Sequence, residues 1–214
     1  MNKLDRQQQL ERLSNSAAEW DVIVIGGGAT GLGIALDAVC RGYQTLLLEQ
    51  ADFAKGTSSR STKLVHGGVR YLAQGDVQLV REASVERGLL RKNAPHLVRN
   101  QTFIIPIYSY WDKLKYTIGL KFYDWIAGKL SLGSSVPVSR KKTMEALPGI
   151  KTDGLLGGVL YHDGQFDDSR LAINLVQSIV EKGGCAINYT KVSGLLKNDK
   201  GQLCGVSMVD EESG

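Results

Sequence analysis

Residues 22–49 read VIVIGGGATGLGIALDAVCRGYQTLLLE, and this stretch predicts the fold of the region around it. Its first four residues, Val22–Ile25, are all β-branched and indicate a buried strand of a parallel sheet. Apolar residues then recur at helical spacing up to Val39, and Thr45–Leu48 forms a second largely apolar run. A strand, a helix and a second strand in this order and length predict a βαβ unit.

The turn between the first strand and the helix carries the pattern Gly26-x-Gly28-x-x-Gly31. In a dinucleotide-binding unit the first glycine permits the tight turn, the second lets a pyrophosphate approach the backbone, and the third lets helix and strand pack closely. Glu49 ends the second strand, where a carboxylate binds ribose hydroxyls and repels a 2′-phosphate. The motif predicts a site for NAD or FAD and disfavours NADP. A glycine turn in an ordinary α/β protein would not account for all four features together.

The loop at residues 56–72, GTSSRSTKLVHGGVRYL, distinguishes between the two cofactors that remain possible, NAD and FAD. An NAD dehydrogenase would continue with another helix–strand repeat soon after Glu49. This loop instead offers hydroxyls, backbone N–H groups and three cations to a pyrophosphate, and Gly67-Gly68 would let the backbone lie against a flat ring system. A polar surface loop would explain the hydroxyls but not a glycine pair followed by Arg70-Tyr71. The loop therefore favours FAD.

The remaining sequence predicts alternating helices and strands. Asp76 precedes a helical pattern that extends to about residue 92, and Ser139 and the pair Asp167-Asp168 are candidate caps of later helices. Strands are expected at 101–107 and 155–161, and a hairpin at 192–209. We expect a loose arm or short polar helix at 1–19, the FAD-binding domain at 20–96 and 165–214, and a substrate-domain segment at 97–164.

Composition excludes several classes of protein. The 214 residues are 43% hydrophobic and carry a net charge of +4, which is too little for a dedicated nucleic-acid binder. The three histidines are far apart and predict no metal site. The three cysteines, Cys40, Cys185 and Cys204, are expected to be buried thiols in a reducing compartment. With neither a secretory leader nor a membrane-spanning run in this sequence, we expect a cytoplasmic protein, free or peripheral to a membrane.

A predicted helix at 113–130 raises the question of membrane contact. Its apolar residues share one face with the preceding tryptophan, and lysines 113, 115, 121 and 129 flank that face: Trp111, Leu114, Ile118, Phe122, Trp125 and Ile126. Such a helix is either interfacial, lying on a lipid surface, or an ordinary helix of the substrate domain with its apolar face turned inward. We favour the ordinary helix, because the pattern alone does not distinguish the two.

Four segments resemble one family. They are IGGGATGLGIALDAVCRG (25–42), LLLEQADFAKGTSSRSTKLVHGGVRYL (46–72), APHLV (94–98) and YHDGQFDDSRL (161–171). They are similar to the FAD-dependent glycerol-3-phosphate dehydrogenases and the related α-glycerophosphate oxidases over about residues 20–210. The resemblance implies an α/β fold: a Rossmann-like FAD-binding domain, with a parallel sheet and a β-hairpin or meander, plus part of an α+β substrate domain.

The same resemblance implies a set of site residues. The ADP half of FAD is expected at Gly26, Gly28, Gly31 and Glu49, its pyrophosphate and flavin side at Thr57, Ser58 and Ser59, its isoalloxazine at Lys63, His66, Gly67 and Gly68, and its adenine at the backbone of Val192. Arg70 and Tyr71 are expected at the substrate phosphate, although Arg70 could instead form an ion pair with Glu82 or Glu86. His66 is a weak candidate for the general base, and packing beside the flavin is its more natural role.

The implied reaction is oxidation of sn-glycerol 3-phosphate to dihydroxyacetone phosphate. Hydride passes from C2 to flavin N5, and electrons go on to quinone or oxygen. Family members continue well beyond this sequence, so we expect an N-terminal portion that does not turn over substrate alone and whose base lies elsewhere. The alternatives are another flavin enzyme acting on an amine or hydroxy acid, and a non-catalytic FAD-binding fragment. A nicotinamide-linked enzyme is the weakest alternative, because the long loop replaces its expected repeat.

Overall fold

A computed structural model describes residues 5–15, 19–68, 71 and 74–213, apart from the side chain of Lys129. The chain divides into two units. The first contains residues up to Thr62 together with those from Asp168 onward, and the second contains Lys63–Asp167. Residues 63–96, which we assigned to the first part of the FAD-binding domain, therefore belong to the second unit.

The first unit is built on a three-stranded parallel sheet. Its elements are α1 (Arg6–Asn15), β1 (Val22–Ile25), α2 (Ala29–Cys40), β2 (Thr45–Leu48), α6 (Asp168–Glu181), β7 (Cys185–Ile187), β8 (Thr190–Lys197) and β9 (Leu203–Asp210). The strand order is β1-β2-β7, with Val22 opposite Thr45 and Leu46 opposite Cys185. Strands β8 and β9 form the antiparallel hairpin that the sequence predicts. The βαβ unit and the fold class are thus confirmed.

Both faces of this sheet are covered. On one face α2 and α6 pack against it through an apolar cluster that includes Leu32, Leu47 and Ile179. On the other face, α1 and the β8–β9 hairpin cover a second cluster that includes Leu48 and Ile187. Because both faces are buried, the strands are almost continuously apolar, as the sequence of β1 and β2 shows.

Helix α1 is held on the sheet by two arginines. Arg6 contacts the carboxylate of Asp210 at 2.5 Å and that of Glu212 at 2.9 Å. Its hydrogen bond to Asp210 lowers the pKa of that carboxyl group. Arg12 donates to the carbonyl oxygen of Gly184 at 2.9 Å, one residue before β7. Of the two expectations for the N-terminal residues, a short helix is correct and a loose arm is wrong for residues 6–15.

The expectation of three buried thiols is wrong for two of them. Cys40 at the end of α2 and Cys204 in β9 are exposed, and only Cys185 is buried. Cys40 is the last residue of α2, and Cys204 lies next to the loop of the β8–β9 hairpin, so the core encloses neither side chain. Burial raises the pKa of the Cys185 thiol to about 11, so this thiol stays protonated at neutral pH.

This difference gives a test of the core of the first unit. At pH 8 the native protein should react with a thiol reagent at Cys40 and Cys204 within minutes, and at Cys185 only after denaturation, because the thiolate is the reactive species. The Cys185→Ala variant should show the same native count and lose only the slow thiol. Three fast thiols in the native protein would contradict this burial of Cys185.

The second unit is an antiparallel sheet with helices. Its elements are β3 (Leu64–Val65), α3 (Val77–Asn93), β4 (Arg99–Ile107), α4 (Tyr110–Ala127), β5 (Val136–Ser139), α5 (Arg140–Ala146) and β6 (Gly157–Gln165). Strand β6 is central, paired with β3, β4 and β5. Two of the predicted caps are confirmed: Asp76 accepts from the Leu79 N–H at 2.9 Å, and Ser139 accepts from the Lys142 N–H at 3.4 Å. Helix α4 begins three residues earlier than expected, capped by Ser109.

The apolar face of α4 points away from the core, so our preference for an inward-facing helix is wrong. Trp111 and Trp125 are 81% and 75% exposed, and Ile118 is 61% exposed. The buried side of α4 is instead formed by Leu120 and Tyr123 with Ala127. Among the residues that the structure describes, none of the helices is long and apolar enough to cross a membrane.

Candidate functional site

In the glycine loop between β1 and α2, each glycine of the motif is required for a different structural reason. Gly26 has φ +108°, a conformation that favours glycine, and its N–H donates to the Leu48 carbonyl at 2.8 Å. A Cβ on Gly31 would lie 2.0 Å from the carbonyl oxygen of Gly26 and 3.3 Å from a methyl group of Val24. Gly31 therefore lets the first turn of α2 lie directly against the end of β1.

Gly28 is the residue that caps α2, and nothing lies within 4 Å of where its Cβ would be. The N–H groups in the first turn of a helix have no carbonyl partner within that helix and carry the positive end of its dipole. An anion can therefore approach the backbone at Gly28 and Ala29 without meeting a side chain.

Glu49 is fixed in place by two backbone groups. Its Oε2 accepts from the Gly27 N–H at 2.6 Å, and its Oε1 accepts from the Ala51 N–H at 2.8 Å. Gly27 must also be small, because a Cβ there would lie 2.9 Å from the Glu49 Cβ and 2.7 Å from the Phe53 ring. The carboxylate thus joins the glycine loop to the end of β2, and it is held rigidly enough to orient a ligand.

Two cavities meet at this loop, both within the first unit. One has a volume of about 560 Å³ and is lined by Glu49 and Ala51 on the β2 side. The other has a volume of about 640 Å³ and is lined by Gly26, Thr57 and Ser58. Gly28 and Gly56 line both cavities. The glycine loop therefore lies in the middle of an elongated site, where the phosphates of a dinucleotide would have to lie.

The loop that follows β2 is tied to the start of α6. The Ser59 hydroxyl donates to the Ala54 carbonyl at 2.6 Å, and it lies 3.2 Å from the Ser169 hydroxyl. The Ser61 hydroxyl donates to the Asp168 carboxylate at 2.5 Å. These contacts fix the short 3-10 turn Thr57–Ser59, and they leave Thr57 and Ser58 facing the second cavity.

The first cavity combines charges of both signs. Lys55, Arg60 and Lys191 line it together with the carboxylates of Glu49 and Glu211. Cations suit a diphosphate, and a carboxylate suits ribose hydroxyls. Open space at Gly28, a free helix N-terminus and this donor set all fit a dinucleotide such as FAD.

Other residues predicted to bind the cofactor belong to the second unit. His66 is exposed, whereas Gly67 and Gly68 are buried. A Cβ on Gly67 would lie 2.2 Å from the Tyr123 hydroxyl, and Gly68 has φ +81°. The glycine pair is therefore required by packing and by backbone conformation within the unit, besides any role at a flat ring.

The profile of the FAD dependent oxidoreductase family matches residues 21–214. The chain belongs to this family. The match begins one residue before β1 and covers the glycine loop, both cavities and the whole second unit, so the predicted cofactor FAD is the cofactor that defines the family.

Curated relatives show a more specific similarity within this family. The chain is 43% identical to the mitochondrial glycerol-3-phosphate dehydrogenase of Saccharomyces cerevisiae, over 99% of the chain and 34% of the relative. It is 45% identical to the enzyme of the same name from Rattus norvegicus, over 90% of the chain and 27% of the relative. The chain thus spans about a third of the length of the curated relatives it matches.

Solved structures show the same fold. The glycerol-3-phosphate dehydrogenase from Bacillus halodurans complexed with FAD is 34% identical and matches 99% of this chain and 34% of its own, with a TM-score of 0.70. The L-α-glycerophosphate oxidase from Mycoplasma pneumoniae with FAD bound is 16% identical, with a TM-score of 0.64, and covers 87% of this chain and 49% of its own. At that identity the second likeness concerns the fold alone.

Within this family framework, the structure brings together six of the predicted residues around the two cavities: Gly26, Gly28, Gly31, Glu49, Thr57 and Ser58. Ser59 faces Ala54 and Ser169 instead. The side chain of Val192 packs in the apolar cluster under the sheet, and its neighbour Lys191 lines the cavity.

The remaining predicted residues lie in the second unit or outside the described residues. Lys63 has φ +60° and its ammonium group lies 3.8 Å from the Asp167 carboxylate. The Tyr71 N–H donates to the Gly68 carbonyl at 2.8 Å. Arg70 lies outside the residues that the structure describes, so the choice between substrate phosphate and an ion pair stays a prediction.

Sequence reasoning missed Gly27, Lys191 and Glu211. The GGG run at 26–28 contains a signal for Gly27, because a third adjacent glycine exceeds what the dinucleotide motif needs. No local signal marks Lys191 or Glu211, which reach the cavity because Lys191 lies at the start of β8 and Glu211 directly follows β9.

Proposed function

We propose that this chain supplies the FAD-binding part of a glycerol-3-phosphate dehydrogenase, which oxidises sn-glycerol 3-phosphate to dihydroxyacetone phosphate. The observation that carries the proposal is the glycine loop with its fixed acid, Gly26–Gly31 and Glu49, at the junction of two cavities. The similarity to glycerol-3-phosphate dehydrogenases at 43–45% identity supports the choice of substrate.

In this proposal each part of the first unit has a task. The N-terminus of α2 and Gly28 hold the pyrophosphate, and Thr57 and Ser58 donate to it from the other side. Glu49 accepts hydrogen bonds from the adenosine ribose, since its fixed oxygens keep further lone pairs directed at the cavity. When bound there, FAD would supply the acceptor for the hydride that leaves C2 of the substrate. The residues of this chain contribute binding and orientation.

The test uses the full gene product. It should purify with a flavin spectrum, and anaerobic glycerol 3-phosphate should bleach that spectrum, whereas glycerol should not. Reoxidation by oxygen or by a soluble quinone then identifies the acceptor, which we propose to be one of the two. A flavin spectrum that glycerol 3-phosphate leaves unchanged would overturn the substrate, and a colourless protein would overturn the cofactor.

We further propose that α4 contacts an anionic membrane surface, with the protein otherwise in the cytoplasm. The supporting observation is the exposed apolar stripe on α4, in which Phe122 and Trp125 stack at 5.6 Å. The exposed Lys113, Lys115 and Lys121 lie beside it and suit acidic headgroups. A surface helix with aromatic residues on its outer face is costly to leave in water, and lipid contact would relieve that cost.

Vesicle sedimentation tests this contact. The protein should sediment with phosphatidylcholine vesicles that contain phosphatidylglycerol and much less with vesicles that lack it. Trp111→Ser with Trp125→Ser should weaken binding about tenfold or more, because both indoles lose their burial. Lys141→Gln with Lys142→Gln on α5 is the control and should bind as wild type. Equal sedimentation of both double variants would exclude α4 as the contact.

A further inference from the structure

The second unit contains a buried charged network. Arg87 on α3 is only 1% exposed and Asp163 on β6 is 4% exposed. The Arg87 Nη1 group lies 2.7 Å from the Asp163 Oδ1 and donates to the Tyr123 hydroxyl at 2.7 Å. Asp163 also accepts from the Gly67 N–H at 3.1 Å and from the Gly164 N–H at 3.0 Å. The network therefore joins α3, α4 and β6 to the segment that follows β3.

Stability alone does not account for such a network. Removing two charges from water is costly, and apolar residues of similar volume often replace a buried ion pair without loss of stability. The network is also imperfect, since the buried Arg87 Nε has no hydrogen-bond partner among the described residues. What it adds is a fixed backbone position, because one Asp163 oxygen binds both the arginine and the Gly67 N–H.

The Gly67 backbone is restrained from several directions. On one side β3 pairs with β6, with Val65 opposite Gly164, the neighbour of Asp163. On another side the Tyr123 hydroxyl occupies the space where a Gly67 side chain would lie. Burial and the nearby Asp163 carboxylate raise the pKa of the Tyr123 phenol, so it stays protonated and uncharged. The neutral phenol of Tyr123, the Arg87 guanidinium and the Asp163 carboxylate together restrict the position of the Gly67 backbone.

We propose that Asp163 is a positioning residue for the segment His66–Gly68, held through its bond to the Gly67 N–H, and that Arg87 and Tyr123 keep the carboxylate oriented for this bond. This inference rests on the proposed function and on the expectation, implied by the family resemblance, that His66, Gly67 and Gly68 line the flavin. The position of these residues relative to the ring is then fixed by Asp163, Arg87 and Tyr123, which do not themselves contact cofactor or substrate in this proposal.

Two double variants of the full gene product separate positioning from packing. Arg87→Met with Asp163→Asn removes both charges and keeps an oxygen for the Gly67 N–H. Arg87→Met with Asp163→Leu removes that oxygen too. The Asn variant should reduce its flavin with glycerol 3-phosphate within about threefold of the wild-type rate, whereas the Leu variant should be about tenfold slower or worse and show a shifted flavin absorption band. The control Arg91→Met, at an exposed site on α3, should match wild type.

A purely structural role predicts a different result, in which both double variants melt earlier but reduce each bound flavin at the wild-type rate with an unshifted band. That result would overturn the proposal. If the Leu variant does not fold, hydrogen exchange of the Gly67 amide in the wild-type protein provides the test. This N–H should exchange at least about a hundredfold more slowly than an unstructured amide. Fast exchange would show that Asp163 does not hold the Gly67 N–H, and would overturn the proposal. Wild-type protein that glycerol 3-phosphate does not bleach would count against the proposed function instead.

Discussion

Replacing Gly31 by alanine should abolish tight FAD binding. The new Cβ would lie 2.0 Å from the Gly26 carbonyl oxygen, far inside van der Waals contact, and the opposing atom is backbone. Either α2 or the glycine loop must move, and the N–H groups at the helix N-terminus then lose their alignment on the phosphates. Because a hydrogen bond to a charged group contributes about 1.5–3 kcal/mol, loss of two should weaken FAD affinity at least about a hundredfold. Titration of the apoprotein with FAD measures this.

Gly33 provides a matched control two residues along the same helix. Nothing lies within 4 Å of its Cβ position, so Gly33→Ala adds the same methyl group without a clash. It should leave FAD affinity unchanged and raise the free energy of unfolding by about 0.5–1 kcal/mol, since alanine is the better helix former. If the two alanine variants bound FAD equally well, the close packing at Gly31 would not be what organises the site.

The contrast between these glycines shows where sequence reasoning succeeds. The functions of Gly26, Gly28 and Gly31 depend on neighbours within ten residues, namely a turn, a helix start and the strand before it. A local pattern can therefore predict them. The same holds for the caps at Asp76 and Ser139, whose partners are three residues away. The β8–β9 hairpin, predicted at 192–209 from its turn residues, is present at 190–210.

Properties that depend on distant partners could not be predicted in this way. The periodicity of α4 identified an apolar face but not its direction, because the side that carries Leu120 and Tyr123 is apolar too and packs inward. Lys191 joins the cavity through the position of β7 and β8, about 140 residues after Glu49 along the chain. Arg87 looks like any other arginine of a surface helix until Asp163 is placed 2.7 Å from it.

Arg87→Met alone should strongly destabilise the second unit. It leaves Asp163, 4% exposed, without its cation, and removing one partner of a buried ion pair costs about 3–5 kcal/mol. The two backbone N–H groups of Gly67 and Gly164 still bind the carboxylate and should keep the loss near the lower figure. Urea denaturation of the full gene product, followed by fluorescence, measures the loss, and Arg91→Met is the exposed control.

Adding Asp163→Asn to Arg87→Met should restore most of that stability, because the uncompensated charge disappears while the acceptor for the Gly67 N–H remains. The double variant is then expected within about 1–2 kcal/mol of wild type. Such a recovery would mean that the penalty of the single variant comes from an isolated charge. It would also show that the acceptor for the Gly67 N–H, and not the negative charge, is what this position requires. If the double variant were as unstable as the single one, the packing of the arginine stem would be the dominant contribution, and the charges would be incidental to the fold.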